Sequence, residues 1–90
     1  MTLRARFDWW LDAEVGSGAV PALTQHLRDH NYRLYSKIEH LGRIQHDVYH
    51  PEHGFFHGAG NSDSEALRNV MKQIWLVTAF EESPERELGA

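Results

Sequence analysis

Ninety residues with 41% hydrophobic and 24% charged side chains are enough for one globular domain and exclude wholesale disorder. Nine basic residues against thirteen acidic ones give a net charge of −4, without the basic excess that phosphate-neutralising nucleic-acid binders use. There is no cysteine, hence no disulfide framework, no thiolate metal site and no thiol nucleophile.

The longest near-apolar run, Ile74 to Phe80, falls far short of the roughly 20 residues a spanning helix needs. The first residues lack the basic-then-apolar order of a signal peptide. The expected protein is therefore cytoplasmic, with no membrane partner.

Residues 3 to 14 repeat Leu3, Phe7, Trp10 and Leu11 at helical spacing. Trp9 falls off that stripe, so Trp10 is expected in the core and Trp9 near the surface, where tryptophan often anchors contacts. Gly16, Ser17 and Gly18 break this helix. Pro21 suits the first turn of a second helix, whose Leu23 and Leu27 share a face and whose end falls at His30 and Asn31.

From Tyr32 the period changes to two. Tyr32, Leu34 and Ile38 are predicted to face the core, and Arg33, Tyr35, Lys37 and Glu39 to face solvent. Gly42 marks a turn, after which Ile44, His46 and Val48 alternate against Arg43, Gln45, Asp47 and Tyr49. Pro51 to Gly54 form a second turn, and Phe55 to Ala59 a short third strand.

Ser62-Asp63-Ser64-Glu65 reads as a capping box. In the helix that follows, Leu67, Val70, Met71, Ile74 and Val77 recur three and four apart and should pack on the sheet. Leu76 and Phe80 lie opposite: either the N-terminal helices fold over them, with Phe7 or Trp10 as partners, or they form an exposed apolar patch, a surface for a partner or for a homodimer through this helix. Glu81, Glu82, Glu85 and Glu87 around Pro84 make residues 81–90 an acidic, frayed tail beyond a single domain of residues 1–80. The expected fold is α+β, a three-stranded antiparallel sheet with helices packed on one face, in the order α-α-β-β-β-α.

The densest chemistry is among seven histidines, whose full protonation would turn −4 into +3. That makes pH sensing conceivable around the ordinary imidazole pKa of about 6.5. His46 and His50 would share a helix face at zinc-ligand spacing, but alternation and Pro51 place them on a strand. There they stand about 13 Å apart, too far to share an ion. His50, His53 and His57 around the turn are the ones that could still converge. Polar turn residues are the favoured reading, with no metal and no cofactor. Gly58-Ala59-Gly60 before a helix has the shape of a phosphate cradle, yet no lysine follows, and Asp63 and Glu65 occupy the positive end of the helix dipole. No spacing isolates a nucleophile with its base or a pair of carboxylates, so no catalytic residue is assigned and a non-enzymatic protein is expected.

Residues 21 to 77 resemble the double-stranded-RNA-binding domain in their order of helix, three strands and helix. The likeness is closest at Phe56-His57-Gly58-Ala59-Gly60-Asn61-Ser62 and at Glu65-Ala66. Asp63 and Ser64 stand where that family carries its phosphate-clamping lysines, so the resemblance implies the fold without the RNA contacts. The chain is also similar to small α-β-sandwich proteins of bacteriophages, some of them anti-CRISPR proteins, in its Trp-containing N-terminal segment, hairpin and Ser-x-x-Glu-Ala helix. That resemblance implies a role class: a counter-defence inhibitor acting on a host protein complex.

The function expected from these readings is a non-enzymatic inhibitor or adaptor that binds a partner protein. Arg33, Tyr35, Lys37, Arg43, Gln45, Asp47 and Tyr49 on the open sheet face would do this, or Leu76 and Phe80 on the last helix. A nucleic-acid module of the double-stranded-RNA-binding type and a histidine metal enzyme are the alternatives.

Overall fold

The computed structural model describes residues 2–81, with side chains through Thr78. Phe80's side chain and the acidic tail from Glu82 lie outside the described residues. The first helix, α1 (Leu3–Glu14), starts where the Ala5 amide donates to Thr2 Oγ1 at 3.1 Å. The second, α2 (Val20–Asp29), carries Pro21 in its first turn. Its end is a Schellman stop: Asn31 takes a left-handed φ of 67°, and the Tyr32 and Asn31 amides donate to the Leu27 and Arg28 carbonyls. This stop turns the chain so that Tyr32 enters the core at 7% exposure.

Strands β1 (Arg33–His40), β2 (Arg43–His50) and β3 (Gly54–Gly60) form an antiparallel meander in the order β1-β2-β3. The β1–β2 hairpin closes through Leu41 and Gly42, both at positive φ (51° and 76°), the two-residue turn whose twist matches the strands. Helix α3 (Asp63–Glu81) then packs on the sheet, giving the α-α-β-β-β-α order. The Glu65 amide donates to Ser62 Oγ at 3.2 Å, so Ser62 caps this helix as its sequence predicts.

The β2–β3 register is regular, from Ile44 opposite Gly60 to His50 opposite Gly54. One sheet face therefore carries Ile44, His46, Val48 and His50 with Phe56, Gly58 and Gly60. Its buried members pack beneath α3. Gly58 explains how closely the helix approaches: a Cβ there would lie 2.4 Å from both the Ala66 carbonyl oxygen and the Val70 nitrogen. The glycine pair of β3 is thus a seat for α3.

The β1–β2 register slips between Leu34 and Ser36, leaving Tyr35 as a bulge. Leu34 stands opposite Val48, but beyond the bulge Lys37 stands opposite His46 and Glu39 opposite Ile44. Lys37 and Glu39 hence lie on the helix side, while Ser36, Ile38 and His40 lie on the open side. This corrects the strict alternation expected for β1: one extra residue reverses every later side chain.

The core joins Phe7 and Leu11 of α1, Leu23 and Leu27 of α2, Tyr32, Val48 and Phe56, and Leu67, Val70, Met71, Ile74 and Trp75 of α3. The stripe on α3 is wider than its sequence suggests, because α1 covers the side bearing Trp75. The Phe7 and Trp75 rings lie 5.7 Å apart, and Phe7 stacks on Trp10 at 6.0 Å. Asp8 of α1 also pairs with Arg68 of α3. Val77, expected on the sheet, is 39% exposed, and Leu76, on the opposite side of the helix, is half-buried against the core, the outcome in which the chain covers it rather than a partner. Trp10 packs on the core and Trp9 is 69% exposed, as the helical spacing predicts. No helix of the described residues is long and apolar enough to cross a membrane.

Candidate functional site

Among the described residues no helix lies on the second sheet face. It presents Arg33, Ser36, Ile38 and His40 from β1, Arg43, Gln45, Asp47 and Tyr49 from β2, and Phe55, His57 and Ala59 from β3. The bulge adds Tyr35, whose ring meets Phe55 edge-on at 5.1 Å, while the Tyr49 ring lies 5.0 Å from Phe55. Three rings from three strands thus form one cluster. Tyr35 is 69% and Phe55 51% exposed. Arg33 lies at the same end of the sheet, opposite Tyr49. At the other end Ile38, His40, Arg43, Gln45 and Ala59 line a shallow hollow of about 210 Å³.

Asp47 sits at the middle of this face and is fully engaged. It accepts from Ser36 Oγ at 2.6 Å, from Gln45 Nε2 at 2.9 Å and from His57 Nδ1 at 2.6 Å. Those donors, Ser36 foremost and then His57 and Gln45, lower its pKa to about 2. Ser36 and His57 both bond the carboxylate rather than each other, so the trio lacks the serine-to-imidazole contact of a nucleophilic triad. The network instead holds His57 by its Nδ1 against the carboxylate, with the side chain 63% exposed on the open face.

Of the residues expected on this face, Arg33, Tyr35, Arg43, Gln45, Asp47 and Tyr49 are brought together. Lys37 is not: its ammonium lies 3.1 Å from Asp63 on the helix side, where His46 Nε2 also meets Asp63 at 2.9 Å. The His46 and Lys37 contacts hold the Asp63 carboxyl below its ordinary range. Asp63 therefore opens α3 as an ionised, occupied group and leaves no cradle for phosphate. Leu76 does not stand in an exposed patch, as its partial burial shows. Ser36, Ile38, Phe55 and His57 were missing from the sequence-derived face. Phe55 and His57 could have been found from the β3 alternation, whereas Ser36 and Ile38 depend on the bulge.

The histidines divide between the two sides of the sheet. His57 lies on the open face and His50 on the helix face, so the expected convergence of His50, His53 and His57 does not occur. His50 and His53 stack at 4.6 Å and join the His26–His30 pair, 4.2 Å apart, around a cavity of about 350 Å³ floored by Leu27, Met71 and Ile74. His50 Nδ1 accepts from the Glu52 and His53 amides at 3.0 and 3.3 Å, which ties its ring to the β2–β3 turn. Burial, with His30 next in weight, lowers the pKa of His26. No three ligand-type side chains among the described residues are placed to hold a metal ion.

Comparison of the chain with family models, curated proteins and solved structures returned no match.

Proposed function

We propose that this chain is a non-enzymatic binding protein that occludes or adapts a partner protein through its open sheet face. The observation that supports this best is the exposed ring cluster of Tyr35, Tyr49 and Phe55 on a face no described helix covers. Aromatic side chains with neighbouring arginines are the residue types that dominate protein–protein contacts. The face carries Arg33 and Arg43 against the single carboxylate of Asp47, whose oxygens are already occupied. It is therefore locally basic on a chain of net charge −4. The fitting partner is a protein surface with an apolar centre and an acidic rim. A counter-defence inhibitor of a host complex is the specific form of this reading and rests on the architectural resemblance to small phage sandwiches.

The test is affinity capture compared across variants. A protein retained by the native chain should be lost with Tyr35→Ala or Phe55→Ala, each weakening binding about tenfold or more. Arg43→Glu should slow association, and Trp9→Ala, on the far side of the molecule, should change nothing. Capture indifferent to the sheet-face variants would overturn the reading. So would tight binding to duplex RNA or DNA that collapses steeply with salt.

A further inference from the structure

The helical layer stops short of β1. Helix α3 lies over β3 and β2, while every β1 position except Ser36 is exposed. β1 is eight residues long and among the described residues pairs with β2 alone, so its other edge has no strand beside it there. Such an edge is a template for another strand. The bulge at Tyr35 interrupts one end and leaves Ser36–His40 as regular strand. Within it, Ser36, Ile38 and His40 point to the open face, Lys37 and Glu39 to the helix face.

A second copy adding antiparallel across a two-fold axis must oppose residues that share a face, so the axis has to pass through a residue. Centred on Lys37 it opposes two lysines, and centred on Glu39 two glutamates. Centred on Ser36 it sets Lys37 against the bulge, where the ladder is broken. Centred on Ile38, Lys37 of each copy meets Glu39 of the other, Ser36 meets His40, and Ile38 meets its own counterpart. That register alone pairs opposite charges twice and covers an isoleucine that is 53% exposed in the single chain.

We propose that β1 is the seam of a homodimer, two copies joined antiparallel about Ile38 into one six-stranded sheet. Both faces of β1 are uncovered, so the helical layers of the two copies do not meet. Lys37 keeps Asp63 at 3.1 Å and gains a second carboxylate from Glu39 of the other copy. The open faces of the two copies fall on the same side and run together. The seam stands on β1 alone and does not depend on what docks on that face.

The absence of cysteine makes the test direct. Directly opposed antiparallel residues have Cα atoms about 4.5–5.5 Å apart, within disulfide reach. Ile38→Cys should therefore link chains in pairs under mild oxidation, while Phe55→Cys, equally exposed on β3, stays single. Light scattering at submillimolar concentration should give the mass of two chains for the native protein. Glu39→Lys and Lys37→Glu should each raise the dimer dissociation constant about tenfold or more, and an equimolar mixture of the two should recover the dimer. Circular dichroism confirms that each variant is folded, and the Ile38→Cys result holds even if Lys37→Glu beside Asp63 is not. A native chain that stays monomeric, with Ile38→Cys linking no faster than Phe55→Cys, overturns the proposal. A native dimer indifferent to Glu39→Lys overturns it equally, because the copies then meet elsewhere.

Discussion

Leu41 carries a left-handed φ of 51° with its side chain 92% exposed. A branched side chain in that conformation costs about 1–2 kcal/mol, and here no packing offsets it. Leu41→Asn makes the Asn-Gly pair this turn favours, and should stabilise the protein by about 1 kcal/mol in urea unfolding. Gly58 has the opposite sensitivity. A methyl there meets the α3 backbone at 2.4 Å, so Gly58→Ala should cost about 3 kcal/mol, read as a lowered Tm. Asp47 supplies a titration. Its pKa of about 2 lies below the ordinary 3.8, so the folded state binds this proton less readily than the unfolded chain. The resulting stability is complete above pH 3.8 and is lost as pH falls through about 2. Carboxyl NMR should place the Asp47 midpoint near 2, and Ser36→Ala should move it up.

At the scale of elements, the sequence made the helices, the meander and the capped start of α3 readable, since each carries a periodic or capping signal. It was silent where an element departs from its period. Nothing in Arg33-Leu34-Tyr35-Ser36 announces a bulge, because every residue there suits either face of a strand. Strict alternation therefore puts Lys37 on the open face and Ile38 on the core side, the reverse of their places in the sheet. The second buried side of α3 was hidden for another reason: Trp75 is core only because α1 lies along it, a tertiary fact with no local signature. The two readings of α3 differ measurably. Trp75→Ala should cost about 3–5 kcal/mol, whereas Val77→Ala, at an exposed site, should stay under about 1 kcal/mol. At its start, Ser62→Ala should cost about 1 kcal/mol.

On the scale of the whole molecule, α1, α2, α3 and the β2–β3 turn meet around the histidine cavity, so acid acts there on several elements together. His26 has its pKa lowered by burial and then by His30, with Glu14 and Asp29 pulling the other way. A histidine held below its unfolded pKa of 6.5 contributes stability above that pH and loses it as pH falls through the lower folded value. The fold should weaken on acidification from about pH 6.5, and His26→Gln should flatten that part of the profile.

The seat of α3 on Gly58 also bears on how the molecule breathes. A helix resting on side chains can slide by repacking them, but one resting on a strand's backbone has no soft layer to deform. Strand β3 and helix α3 are therefore tied into a single cooperative unit, reinforced where Asn69 donates to the Ala59 carbonyl at 2.7 Å. Amide hydrogen exchange should show β3 and the middle of α3 opening together, at the free energy of global unfolding. The outer amides of β1 in the single chain should exchange orders of magnitude sooner, so the slow half of this small protein is the half built on glycine.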